Sequence, residues 1–318
     1  MGVTFLQEVT SVFKDATAPV PLFDSPELPS LSVIDVLGAL RLSILLRQIK
    51  RHNGGLAGEP KGAWVHDLWL TLVVVFAGEI LACAMLTVPP SFMLSPTVIL
   101  LFIASHIVAH AIPSVLIPDI SLLTELPLAI LDAATRSMMV CDGTIALVRS
   151  SPHLSVQASP MALLVTSTTL GNVGFFIVNV FSMLDPVGWN VNVPPELRPW
   201  GWTTMDLWIA PLGTAIYATA TQSQAFWTRL PALILGILNV DPAVQSELDA
   251  KLLTVMPLSN DDGRSVCFLV VATLFTLRAL YNFSLPSVAP KASPQSNHST
   301  STKRCRFESS SPRVFVSY

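Results

Sequence analysis

The chain has 318 residues, of which 51% are hydrophobic and only 12% charged, with a mean hydropathy of +0.59 and a formal charge of −3. A soluble globular domain carries about 25% charged residues, so this composition argues against a soluble enzyme, a disordered scaffold or a polycation that binds nucleic acid. The four cysteines (Cys83, Cys141, Cys267, Cys305) have neither metal-ligand nor disulfide-framework spacing.

In chain order, residues 1–30 form an N-terminal segment with acidic and polar residues by position 15, unlike a signal peptide. A helix then spans Leu31–Leu46 and carries Asp35 and Arg41. The second span, Leu68–Val88, stops at Pro89-Pro90. The third, Pro96–Ile117, opens on Ser95-Pro96 and is expected to kink at Pro113. The fourth, Leu126–Leu147, carries Asp132, Arg136 and Asp142. The fifth and sixth are Met161–Leu184 and Leu207–Trp227. The polar stretch 228–264 holds a short surface helix at Pro242–Leu253 and a turn at Asp261-Asp262-Gly263. A seventh span follows at Val266–Leu285. About 20 apolar residues cross a bilayer core. The expectation is an all-α integral membrane protein with seven transmembrane helices over residues 31–285 and a disordered tail over 286–318.

Basic residues orient it. With the N-terminus lumenal and the tail cytosolic, ten Lys and Arg fall on the cytosolic side and five on the other. The spans also read as two passes of one plan. The first member of each triplet places an acid before a base (Asp35 and Arg41, then Asp132 and Arg136), and the second has central glycines beside polar groups (Gly78-Glu79, then Gly171-Asn172-Val173-Gly174). Three spans per unit is odd, so the copies must be inverted, as in many transport proteins.

Asp132 and Arg136 share one helix face at i,i+4 spacing. Charges at membrane depth are costly and often face a wet cavity, so the pair either lines a path, with Arg136 setting the field or holding an anionic headgroup, or fixes helix packing. Gly171 and Gly174 beside Asn172 either break the fifth helix and expose carbonyls to a cation, or allow close helix packing. Gly78 and Glu79 repeat the theme in the second span. Thr168, Asn172 and Asn179 fall on one face as a polar stripe. His106 and His110 have a metal-chelating spacing but no matching cluster. No phosphate loop, nucleophile elbow or catalytic carboxylate pair is present, so neither enzyme activity nor a cofactor is expected.

The order of spans and the stretches Phe76-Ala-Gly-Glu-Ile-Leu-Ala, Ala129-Ile-Leu-Asp-Ala-Ala-Thr-Arg136 and Leu170-Gly-Asn-Val-Gly174 resemble the trimeric intracellular cation channels. The resemblance implies two inverted three-helix repeats plus a final helix, and a homotrimer with one pore per subunit. It implies potassium as the permeant ion, counter-ion flow across the endoplasmic reticulum as the role, and a phosphoinositide among its membrane lipids. The family's Lys-Glu pair followed by Arg maps onto Leu131, Asp132 and Arg136, so the lysine is replaced here. The ion pathway implied comprises Gly78, Glu79, Asp132, Arg136, Gly171, Asn172 and Gly174, with Arg136 also at the lipid. A proton-coupled transporter using Asp132 or Glu79 is the alternative from the residues themselves, followed by a membrane metalloenzyme using His106 and His110 or a non-catalytic scaffold.

Overall fold

A computed structural model describes residues 2–20, 31–52, 63–113, 116–185, 189–197, 204–237 and 256–284. These are 81% helical, with no β-strand among them. The helices are α1 (Gly2–Thr17), α2 (Val33–His52), α3 (Ala63–Leu86), α4 (Ser91–Leu94), α5 (Thr97–Ala111), α6 (Leu122–Met138), α7 (Thr144–Arg149), α8 (Leu154–Gln157), α9 (Pro160–Val180), α10 (Met205–Ala220), α11 (Ala225–Ile237) and α12 (Asn260–Ser284). A π-turn, Met139–Gly143, joins α6 to α7, and a 3-10 turn, Pro195–Leu197, precedes α10. The surface helix read at Pro242–Leu253 and the tail 286–318 lie outside the described residues.

Local chemistry explains where these helices start. In α2 and α12, a serine and an aspartate three residues on exchange hydrogen bonds. The Asp35 amide donates to Ser32 Oγ (3.2 Å) and the Ser32 amide to Asp35 Oδ2 (2.9 Å), while the Asp262 amide donates to Ser259 Oγ (3.1 Å). Ser121 and Thr124 do the same for α6. Each pair satisfies amides that the first helical turn cannot. Asp35 therefore caps α2 rather than acting beside Arg41. Asp261-Asp262-Gly263 is the first turn of α12, not a turn before it.

Among the described residues, three helices are long and apolar enough to cross a membrane: Trp64–Leu86, Pro160–Val180 and Asn260–Phe283. At most 39% of any of their apolar windows is buried inside the protein. Trp69, Ile80, Leu81, Met161 and Val165 instead project outward. So much outward apolar surface suits lipid rather than water.

Several boundaries differ from the sequence reading. The helix read as kinked at Pro113 ends at Ala111, because the residue before a proline is pushed out of helical geometry. The helix read as the sixth span closes at Ala220 and turns through Gln222 (φ 50°), and α11 runs from the last residues of that reading into the stretch read as polar. The N-terminal segment contains α1. Its Phe13 is buried against Phe268 of α12, near Ile34 and Ala134, and Thr10 donates to Asp262 (3.1 Å).

Two antiparallel crossings organise the bundle. In the first, α3 crosses α9 with glycines at the contact. A Cβ on Gly78 would lie 2.6 Å from the Thr169 carbonyl oxygen, and one on Gly174 would overlap the Val74 carbonyl. In the second, α2 crosses α6, with Gly38 against Thr135 and Arg41 against Asp132. Around them, α5 packs on α2 and α3, α10 packs on α9 and on the π-turn, and α12 closes over α6 and α10. The main core lies among these last elements and includes Val140, Cys141, Met205, Ile209, Cys267 and Phe275.

Candidate functional site

The π-turn matters first because it frees backbone in mid-helix. The Val140 carbonyl accepts from Thr214 Oγ1 of α10 (2.8 Å), and Asp142 accepts from Tyr217 Oη (2.9 Å) and pairs with Arg264 of α12 (2.6 Å). Such bulges are common where a helix carries function. Here one fastens the fourth helical column to α10 and α12.

One to two turns back along α6 lie Asp132 and Arg136, part of a buried network drawn from four helices. Arg41 of α2 donates to Asp132 Oδ1 (3.1 Å), and Arg136 Nε lies 3.4 Å from Asp132 Oδ2. Arg136 also reaches Asp206 of α10 (3.5 Å), whose two oxygens accept from Arg278 of α12 at 3.0 and 3.1 Å. Every carboxylate oxygen therefore faces a guanidinium. Phe275 lies between Arg136 and Arg278, with its ring centre 5.3 and 4.6 Å from their guanidinium carbons, close enough for cation–π attraction.

The network has three arginines against two aspartates. Glu125, nearer the start of α6, lies beside the network, and its Oε1 is buried without a hydrogen bond among the described residues. Buried ions of this kind are held by mutual pairing, and removing one partner leaves an uncompensated charge. Asp132 and Arg136 were legible from their spacing. Asp206 and Arg278 were not singled out, although each is a charge within or beside an apolar stretch, the signal that drew attention to the first pair.

The remaining sequence candidates lie elsewhere. Gly78, Gly171 and Gly174 do not break their helices: α3 and α9 are continuous helical segments. Gly78 and Gly174 bring the α3 and α9 backbones together, and Gly171 receives Ala210 of α10, where a Cβ would come within 2.8 Å. The expected kink with exposed carbonyls is replaced by close packing, because the absent side chains let the helices meet. Asn172 turns its amide to the Thr168 carbonyl (2.9 Å) and the Leu207 carbonyl (3.4 Å). Thr168 bonds back to Leu164 (2.8 Å), and Asn179 donates to Glu196 (2.7 Å). The polar stripe is thus turned into helix backbone and a loop. Glu79 accepts from the Ser91 amide and is not part of the arginine network.

Glu196, in the 3-10 turn beside α10, is a carboxylate that sequence reading passed over. It is 7% exposed, and burial pushes its carboxyl above the usual carboxylate range, an effect offset in part by the Asn179 hydrogen bond and reinforced by Asp206.

Among the described residues, no group of three or more His, Cys, Asp and Glu is arranged to hold a metal ion. The Asp67 carboxylate of α3 pairs with Lys50 (2.8 Å), near His110. At the end of α5, Arg47 of α2 donates to the carbonyls of Ala109 and Ile112 (2.9 Å), groups the helix end leaves open, and Arg51 donates to that of Ile117 (2.8 Å) further on. No protein-family model, curated protein or solved structure matches this chain.

Proposed function

We propose that this protein is a membrane channel of seven spans, two inverted three-helix units plus α12, that passes monovalent cations across an intracellular membrane. The observation that carries the architecture is the glycine crossing of α3 and α9. Gly78 meets the backbone at Leu170, and Gly174 meets it at Val74. Gly174 follows Gly78 by 96 residues, and Leu170 follows Val74 by the same 96. A two-fold axis through the crossing exchanges these contacts, as inversion of a repeated unit requires. Other pairings follow the same exchange: α2 on α5 corresponds to the π-turn on α10, and α3 on α5 to α9 on α10.

The arginine network joins the two units, with Arg41 from the first and Asp132, Arg136 and Asp206 from the second. Its guanidinium groups tie α2 and α12 to the carboxylates of α6 and α10, so in this reading the network is a closed gate. The path opens when α2 or α12 withdraws its arginine. This differs from the sequence expectation that Asp132 and Arg136 line the conduit. Potassium, the homotrimer, the endoplasmic reticulum and a phosphoinositide at Arg136 rest on the resemblance to trimeric intracellular cation channels.

Purified protein in liposomes loaded with potassium provides the test. The expected result is dissipation of a potassium gradient with no second substrate, faster in Arg41→Ala and Arg278→Ala than in the wild type. Uptake that saturates with a solute and requires a proton gradient would replace the channel with a transporter.

A further inference from the structure

The first helix carries more apolar surface than the protein covers. At about 3.6 residues per turn, the side chains of α1 fall into three sectors around its axis. Lys14, Thr10 and Phe13 make up the first, in that order, and face α12. Past Val9, continuing the same way round, come Phe5 and Val12, which are 56% and 69% exposed. Glu8, Asp15, Ser11 and Gln7 complete the circle, and all four are exposed. A continuous apolar stripe closed off by a polar arc marks an amphipathic helix. Protein buries only the side of that stripe at Phe13.

Contacts with α12 give the stripe a direction. Lys14 Nζ lies 3.9 Å from Asp261 Oδ2, and Thr10 donates to Asp262 (3.1 Å), both in the first turn of α12. Phe13 instead meets Phe268, with ring centres 5.3 Å apart. At the rise of a helix, Phe268 is about 9 Å further along α12 than Asp262. Turning from Lys14 through Thr10 to Phe13 therefore moves from the polar start of α12 toward its apolar middle. Phe5 and Val12 come next in that rotation, so they point toward the depth of the membrane that α12 enters. Ser11 lies on the opposite side, and at the rim the Lys14 and Asp261 side chains are 71% and 40% exposed.

A lipid leaflet supplies what these sectors need, with acyl chains beneath Phe5 and Val12 and water above Ser11 and Asp15. Helices with one apolar and one charged face lie in this plane. A second protein fits less well. Two side chains fall far short of the roughly 800 Å² per partner that a stable protein interface buries, whereas a lipid surface requires no shaped patch.

We propose that α1 is an interfacial helix whose Phe5 and Val12 insert at the boundary between headgroups and acyl chains of a phospholipid leaflet. It braces α12, and α2 at Ile34, where they enter that leaflet. The proposal rests on α12 crossing the membrane and is independent of what the protein conducts.

The test is electron spin resonance of the full chain in phosphatidylcholine vesicles, with a nitroxide attached to Phe5→Cys, Val12→Cys, Ser11→Cys or Asp15→Cys. Cys305→Ser provides the background, since Cys83, Cys141 and Cys267 are buried. All four labelled positions are exposed, so the label displaces no packed side chain. Collision with molecular oxygen, which concentrates in lipid, is compared with collision with a nickel chelate confined to water. The oxygen-to-nickel ratio at Phe5→Cys and Val12→Cys is expected to be about fivefold that at Ser11→Cys and Asp15→Cys. Leu277→Cys, at an exposed position on α12, tests the span separately. Oxygen favoured at Leu277→Cys with nickel favoured at Phe5→Cys and Val12→Cys would overturn the proposal and leave α12 in the membrane. Shielding of Phe5→Cys and Val12→Cys from both reagents would also overturn it, because a second copy or another protein surface would then cover the stripe. Nickel favoured at Leu277→Cys would overturn the spanning reading of α12 and this proposal together.

Discussion

The two crossings that hold this bundle use opposite chemistry. Where α3 meets α9, contact is made by removing side chains, so that Gly78 and Gly174 bring carbonyl oxygens against the opposite helix. Where α2, α6, α10 and α12 meet, it is made by long charged side chains, with Arg41, Arg136 and Arg278 reaching across to Asp132 and Asp206. Close packing of backbone on backbone has one geometry and little reason to change it. An ion network has alternative partners, and Glu125 beside it is one such group. The difference teaches where the proposed gate would place rigidity and motion: the glycine crossing would be its fixed element, and the charged crossing the part that rearranges.

Breaking the charged crossing has the largest effect. Asp206→Asn leaves Arg278 and Arg136 buried opposite a neutral group, and loss of one partner from a buried pair costs about 3–5 kcal/mol. The expected outcome is a large fall in melting temperature for the protein in detergent. The double change Asp206→Leu with Arg278→Met recovers most of that fall, because well-packed apolar side chains often replace a buried ion pair at no loss. A double variant as unstable as Asp206→Asn would show that Asp206 has a role beyond holding Arg278.

Breaking the glycine crossing comes next and admits no such rescue. Gly174→Ala places a methyl group against the Val74 carbonyl, which belongs to a helix backbone and cannot rotate aside. Overpacking typically costs about 1–3 kcal/mol, and here the helices must part to accommodate it. The same thermal measurement should show a loss near the upper end, and a smaller substitution on the facing helix should not restore it, since the obstacle is main chain. Stability equal to the wild type in Gly174→Ala would remove the crossing from its role as fixed element.

The contrast also explains what could be read from the sequence. Apolar length marked the long helices, since burial in lipid requires about 20 such residues in succession. The i,i+4 spacing marked Asp132 and Arg136 as a pair. Their partners Asp206 and Arg278 lie 70 and more residues away, and nothing local tells a helix which distant charge it will meet. Glycine's two roles, breaking a helix or letting two approach, look the same in one dimension, and only the opposing backbone of α3 decided between them. The short helix α1 was missed although Leu6, Val9, Thr10 and Phe13 follow helical spacing, because its apolar stripe is interleaved with charge. Asp67 was passed over as a flank of the second span, because its partners come from two other helices.

Gly143 sharpens the comparison with the smallest effect and the opposite sign. It ends the π-turn with ordinary helical angles, φ −59° and ψ −47°, and a Cβ there would meet nothing closer than the Met138 carbonyl at 3.8 Å. Glycine within a helix costs about 0.5–1 kcal/mol relative to alanine through backbone freedom in the unfolded chain. Gly143→Ala is therefore expected to raise the melting temperature slightly, while the identical change at Gly174 lowers it. If both substitutions destabilise, the cost at Gly174 reflects loss of glycine as such. If they separate in sign, the cost belongs to the Val74 carbonyl and to the close approach of α3 and α9.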